Sequence, residues 1–289
     1  MKRSLFFISI LGSVIFFVFQ FKSISGTVKT VTNSIETPNL IDKDSLTINS
    51  RVNVPKGYKR VGYPKGSFEQ YLRDYKLKAY GSKIINYDDS EYYWQEGHIG
   101  VLDIPVPKNG LQQCADVLIR VRSEYLWKIN KKDDIGFNFT SGHYCSWKQY
   151  AAGYRPKIKG NKVSFHKTAS VNHSKDNFYK YLNLIYTYSG TLSLYNELPK
   201  IDSAKDLKIG DMLIRGGSPG HIVMICDEAV NENGDKIFLM FQGNTPAQSV
   251  HLVKNLEDNL FSPWYHLEKD AVISVSNYTF VSSKFVRFK

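Results

Sequence analysis

The chain has 289 residues, enough for one large domain or two small ones, and enough to bury a core without covalent staples. Its three cysteines, Cys114, Cys145 and Cys226, provide no disulfide framework and leave at least one thiol unpaired. A net charge of +11 suits anionic surfaces, but no helix-turn-helix, finger or RNA-binding signature accompanies it, so nucleic acid is not an expected partner.

The N-terminus reads as an export segment. Lys2 and Arg3 precede an almost continuous apolar run from Leu5 to Phe21, and Ser23, Ser25 and Gly26 supply small residues for cleavage. Residues 1–26 are therefore expected to be a signal peptide or, if uncleaved, a membrane anchor. Removing Lys2, Arg3 and Lys22 leaves the remainder at +8. Residues 27–50 are polar and without period, which predicts a linker, and residues 51–289 are expected to form a single domain. The expected location is periplasmic, secreted or envelope-anchored.

Within that domain "SFEQYLRDY" predicts a short helix capped by Ser67. "HIGVLDIPV" alternates Leu102, Ile104 and Val106 against Val101, Asp103 and Pro105, a strand placed near a sheet edge by its proline. "LQQCADVLIRVRSEYLWKI" puts Leu111, Cys114, Leu118, Val121 and Tyr125 on one helical face, with Asn109 or Gly110 as the predicted cap. Short strands around a brief helix near 147–152 follow, then a long helix from Asn177 that Gly190 is expected to break or bend. Beyond Lys205 the pattern turns to strands, "DMLIR", "HIVMICDEA", "KIFLMFQ" and "SVHLV", with "NENGD" as a hairpin turn. Helices first and a meander afterwards predict an α+β fold, helices packed on an antiparallel sheet.

Two side chains stand out chemically. Cys114 lies near a helix start, where unpaired N–H groups favour a thiolate, and Gln112 and Gln113 add amide donors beside it. His221 opens a strand behind "GGSPG", a corner with no large side chain to shield the ring. A cysteine nucleophile needs such a base, and a third polar group to orient the imidazole. Gln242 or Asn244, at the end of the following strand, meets that need. Each has a structural alternative: a buried cysteine filling space, a histidine satisfied at a strand end, turn chemistry at Asn244.

The order "QQC", then "IGDMLIRGGSPGHIVMI", then "FQGN" resembles the NlpC-type and CHAP cell-wall cysteine hydrolases. That resemblance implies a papain-like domain with Cys114 as nucleophile, His221 as base and Gln242 or Asn244 as orienting residue, with Asp211 and Gly220 as structural positions. The chain departs from the pattern at "QQCADV", where those families show Asp-Cys-Ser-Gly or a similar run, and in the 107 positions from Cys114 to His221. Over residues 51–267 the words "GYKR", "GTLSL", "GGSPGH", "PAQ" and "SPWY" resemble an uncharacterised family of exported bacterial proteins.

No metal or other cofactor is expected: "HYC" around His143 and Cys145 is the one local pattern of metal-ligating type, and no carboxylate pair is singled out by spacing. Two functions therefore remain as expectations. One is an exported cysteine amidase or peptidase acting on cell-wall peptide or other anionic envelope material. The other is a non-catalytic binding or scaffold protein of the same fold.

Overall fold

The computed structural model describes residues 39–289. The predicted signal or anchor, residues 1–26, lies outside the described residues. Among the described residues no helix is long and apolar enough to cross a membrane. The folded unit begins at Leu40, so it takes in residues 40–50, predicted to be linker. Leu40 and Ile48 are buried, and helix α1 (Ile48–Arg51) is capped by Thr47, whose hydroxyl accepts from the Ser50 N–H. Two scattered apolar residues make no period, so only their tertiary packing reveals that this segment belongs to the core.

The architecture is mixed α/β and dominated by an antiparallel sheet. Its strands are β1 (Tyr58–Arg60), β2 (His98–Val101), β7 (Lys200–Ile201), β8 (Asp211–Arg215), β9 (His221–Asn231), β10 (Lys236–Gln242), β11 (His251–Val253) and β14 (Lys284–Arg287). They run in the order β2-β11-β10-β9-β8-β14-β7, and β1 pairs with the far end of β9. β10 occupies the other edge of β9 at those residues, so β1 continues the β8 side. β2 is an edge strand, as Pro105 predicts, but ends at Val101. Smaller ribbons are β3 (Gly136–Asn138) with β4 (Tyr144–Ser146), β5 (Tyr154–Lys159) with β6 (Lys162–Lys167), and β12 (Ile273–Val275) with β13 (Tyr278–Phe280).

β9 is the central strand. Its residues from His221 to Ala229 are all buried, which an alternating half-exposed strand would not show. Helices α2 (Phe68–Arg73) and α3 (Cys114–Lys128) both pack on it. Ser67 caps α2, its hydroxyl accepting from the Gln70 N–H at 3.1 Å. The remaining helices are α4 (Trp147–Ala151), α5 (Lys175–Tyr188) and α6 (Thr191–Glu197). Gly190 separates the last two, as its position in the long helical pattern predicts.

α3 begins later than predicted. The Pro107–Gly110 turn, in which the Asn109 side chain accepts from the Leu111 N–H, precedes it, and Gln113 occupies the cap position. Asn109 and Gly110 are therefore turn residues, and Cys114 is the first residue of the helix proper.

Two buried ionic clusters hold the sheet to its surroundings. Asp227 on β9 accepts from Arg60 Nε and Arg73 Nε, each at 2.7 Å, tying β1 and α2 to the central strand. Asp211, at the start of β8, accepts from Arg287 Nε at 2.6 Å and Nη2 at 2.8 Å, and its Oδ2 also takes the Lys208 N–H at 2.8 Å. Asp211 is fully buried, so its charge is satisfied by a bidentate guanidinium and a turn amide rather than by water. It therefore anchors the C-terminal strand.

Candidate active site

Cys114 and His221 line one groove of 780 Å³. Its walls come from the start of α3, Thr140 in the β3–β4 turn, the α5–α6 break, the β8–β9 corner, the loop after β10 and Tyr278 on β13. Two glycines permit the close approaches. A Cβ on Gly220 would lie 2.3 Å from Thr191 Oγ1 and 2.6 Å from the Gly217 carbonyl, so the strand carrying His221 meets α6 there. A Cβ on Gly243 would lie 2.6 Å from Val117 Cγ2, where the end of β10 abuts α3. Gly220 is thus a structural position for a steric reason.

His221 is 2 % exposed, its ring lying 4.7 Å from that of Tyr278 and 5.9 Å from that of Phe280. Its Nε2 is 2.7 Å from Gln242 Oε1. Gln242 is fully buried and pairs directly across the sheet with His251, its Nε2 lying 3.1 Å from His251 Nε2. His251 Nδ1 is 3.0 Å from the Ser249 carbonyl.

These contacts fix the direction of every proton. A carbonyl only accepts, so His251 carries its proton on Nδ1 and donates to Ser249. His251 Nε2 is then a lone pair that accepts from the Gln242 amide NH2. Gln242 Oε1 is left facing His221, which must donate from Nε2. The neutral His221 ring therefore has its lone pair on Nδ1. Among the described residues that atom has no hydrogen-bond partner, and His221 lines the groove.

Burial pushes both histidines toward the neutral form. It lowers the His221 pKa against the opposing Gln242 hydrogen bond, and lowers His251 to about 3 against the Ser249 carbonyl. The neutral state is the one the proton directions require.

Cys114 is 8 % exposed. Burial pushes its thiol up to about 11 and the nearby Asp116 carboxyl adds to the rise, while the backbone N–H groups of Ala115, Cys114 and Ile222 oppose it. The Ile222 N–H places the sulfur beside the first residues of β9. Among the described residues no hydrogen bond joins Cys114 to His221. The resting pair is thus a neutral thiol and a neutral imidazole, not an ion pair. Among the described residues Asp116 is the one carboxylate lining the groove, and no lysine or arginine lines it. Its Oδ2 accepts from the Gln113 N–H at 2.9 Å, Oδ1 has no partner, and burial lifts its pKa to about 7.

The other predicted residues sort clearly. Asn244 borders the groove but points to the Tyr92 hydroxyl and Asn277 Oδ1, each at 3.4 Å, and makes no contact with His221. Gln242 is the one that holds the ring. Gln113 also borders the groove, its Oε1 accepting from Thr245 Oγ1 at 3.0 Å. Gln112, predicted as a donor near the thiol, instead accepts from Arg120 Nη1 at 2.7 Å, is buried outside the groove, and has no partner at Nε2. Successive residues at a helix start point to different sides, which separates these two glutamines. Cys114, Cys145 and Cys226 are all free thiols, so no bridge occupies the candidate nucleophile. Among the described residues no group of three or more His, Cys, Asp and Glu side chains is placed to hold a metal ion.

Sequence patterns alone miss His251, Asp116 and Tyr278. His251 carries no local signal because β11 has only three residues, and its role follows from cross-strand register with Gln242.

The fold and groove can be set against known proteins. A family described as a domain of unknown function, DUF4846, matches residues 48–287, nearly the whole described unit. The chain belongs to this family. Its match starts at the first residue of α1 and ends in β14, so the family pattern includes the segment at 48–50 that composition assigns to a linker. Neither curated proteins nor solved structures yield a match to the chain.

Proposed function

We propose that this groove is the active site of an exported cysteine amidase or peptidase with a papain-like arrangement, acting on cell-wall peptide or a similar amide. The observation that carries the reading is the hydrogen-bonded chain that puts the His221 proton on Nε2 and leaves Nδ1 unpartnered, in a ring that lines the same groove as Cys114.

In the proposed reaction the Cys114 S–H bond breaks as its proton passes to His221 Nδ1, and the sulfur attacks the substrate carbonyl carbon. The oxyanion is met by N–H groups at the start of α3, where a helix leaves donors unpaired. The imidazolium then protonates the departing amine as the C–N bond breaks. Water, with His221 again taking a proton, cleaves the thioester. The mechanism requires Cys114 Sγ and His221 Nδ1 to come within hydrogen-bonding reach in the substrate complex, where catalytic hydrogen bonds tighten. Export, a cell-wall substrate and membrane attachment of an uncleaved N-terminus rest on the sequence of residues 1–26 and on the resemblance to cell-wall hydrolases.

The decisive experiment is incubation of the full chain with soluble wall-derived peptides, followed by intact-mass and peptide mapping. Cleavage at an amide with a transient acyl adduct on Cys114 is the expected result. An adduct on no cysteine, with no cleavage across a panel of wall peptides, would reject the reading.

The pH dependence has a definite sign. A neutral His221 is required, and burial depresses its pKa below the ordinary value of 6.5. Rate should therefore rise as pH increases through that depressed value; the thiol, raised to about 11, adds no step near neutrality, where Asp116, raised to about 7 beside it, is the groove carboxyl whose ionisation would add one. A kcat/KM profile that instead fell across neutral pH would indicate a protonated imidazole in the active form.

The low exposure of Cys114 and its raised pKa favour a second reading, a non-catalytic binding or scaffold protein. Iodoacetamide separates the two. Labelling of native Cys114 ahead of Cys145 and Cys226 belongs to the enzyme, and labelling of all three only on unfolding belongs to the scaffold.

A further inference from the structure

The β5–β6 ribbon takes no part in the groove or the main sheet. Its sequence, "YRPKIKGNKVSFHK", carries Arg155, Lys157, Lys159, Lys162 and Lys167 and no carboxylate, so +5 of a whole-chain +11 is concentrated there. No Asp or Glu occurs anywhere between Asp134 and Asp176.

The pairing register sorts these charges by face. Arg155 lies opposite His166, Lys157 opposite Ser164 and Lys159 opposite Lys162. Alternation along each strand puts all six on one side. Tyr154, Pro156, Ile158, Val163, Phe165 and Lys167 take the other. Exposure follows the same alternation: Lys157, Lys159, Lys162, Ser164 and His166 are exposed, while Ile158, Val163 and Phe165 are partly buried and pack on the core. Arg155 is pinned by Nη1 to the Tyr150 and Tyr154 carbonyls, with its guanidinium 3.6 Å from the Tyr150 ring centre. Lys157, Lys159 and Lys162 have no ion-pair partner among the described residues. Adjacent cations on such a face stand about 5 Å apart across the strands and about 7 Å along them.

We propose that this face of the β5–β6 ribbon is a docking surface for a linear, phosphate-bearing polymer. Charge complementarity selects a polyanion, because an array of unpaired ammonium groups with no counter-charge attracts closely spaced phosphates. The face has no Phe, Tyr or Trp, and His166 is its single aromatic ring, too little for the successive stacking that single-stranded nucleic acid uses. The turn at its tip is Gly160-Asn161, with no apolar side chain to enter a bilayer, which selects against a lipid surface. The ribbon is rooted beside the groove: the Phe165 ring packs 6.4 Å from that of Phe139, and the next residue, Thr140, lines the groove. Phe165 lies on the ribbon's core-facing side, so binding of a polymer on the lysine face does not depend on catalysis in the groove.

Inorganic polyphosphate binding to the full chain, measured across a salt series, tests this. The variants are K157Q/K159Q/K162Q, the corresponding triple glutamate, and a control triple, K56Q/K65Q/K205Q, which removes equal charge from exposed lysines elsewhere. Unchanged thermal melts establish that each is folded. The expected result is a loss of about tenfold or more in the ribbon glutamine triple, a larger loss in the glutamate triple, and a log K against log salt slope shallower by about one per lysine removed. The control triple should stay within about threefold of the parent. Equal losses in the ribbon and control triples would overturn the proposal, since binding would then follow net charge alone. Loss of binding to phosphatidylglycerol vesicles with polyphosphate binding intact would also overturn it, by assigning the face to lipid.

Discussion

Exchange of Cys114 for alanine, or of His221 for alanine, is expected to lower amide hydrolysis by about a thousandfold or more while leaving the fold intact. Cys114→Ala removes one sulfur at the groove wall and leaves the Gln113–Asp116 hydrogen bond in place, so the melting temperature should hardly move. His221→Ala leaves the Gln242 carbonyl oxygen without its donor, but that oxygen then faces the opening and water can satisfy it. The double variant should be no worse than either single one, because the two groups act as a unit. His251 provides a graded test. His251→Leu frees the Gln242 amide to turn, and His221 then loses its fixed Nε2–H. A rate loss of about tenfold to a hundredfold is expected, together with a shift of the His221 ring nitrogens from one tautomer toward a mixture in 15N spectra. The spectroscopic change reports the hydrogen-bond chain whether or not the chosen substrate is cleaved. An unaltered His221 tautomer in His251→Leu would remove His251 from the site.

Asp227→Ala is expected to have the largest effect on stability, about 3–5 kcal/mol. The carboxylate is fully buried and faces two arginines, one of them also nearly buried. Its Oδ1 takes the Glu228 N–H at 2.9 Å besides Arg73. Removing it leaves two guanidinium groups beside the central strand without the carboxylate they share; Glu228, whose carboxyl accepts from the Tyr63 hydroxyl, is the remaining acidic group near Arg73. Arg73 still reaches the Val61 carbonyl at 2.7 Å, but a carbonyl does not neutralise a cation. Urea unfolding should show a lower midpoint. Arg60→Ala should cost less, because Arg60 is 23 % exposed and water replaces part of its role. An Asp227→Ala loss below about 1 kcal/mol would mean that the cluster is solvated.

Local chemistry made much of the fold legible. The Ser67 cap, the Asn-Gly hairpin between β9 and β10, and the break at Gly190 each depend on neighbours within a few residues, and each occurs where the sequence places it. The same holds for the order of strands from β8 to β11, where successive strands pair with their neighbours. The start of α3 was misplaced because Asn109 and Gly110 suit a turn as well as a cap. The C-terminal strand β14, which lies between β8 and β7, gives no warning, since its place depends on Arg287 finding Asp211 76 positions away. Turn chemistry at Gly243-Asn244 tilts the sequence toward Gln242, and the fold decides it, since it is the Gln242 amide that reaches the ring. His251 was invisible for a related reason: a histidine in a three-residue strand has meaning only once its cross-strand partner is known.

The described walls of the groove come from six separate chain segments, whereas the hydrogen-bonded pairs behind His221 sit within neighbouring strands of one sheet. Insertions in the turn before α3, at the α5–α6 break or in the β12–β13 hairpin would reshape what enters without disturbing strand register. Sequence divergence among members should accumulate in those loops while Gln242 and His251 stay paired, so that one scaffold accommodates a range of cargo.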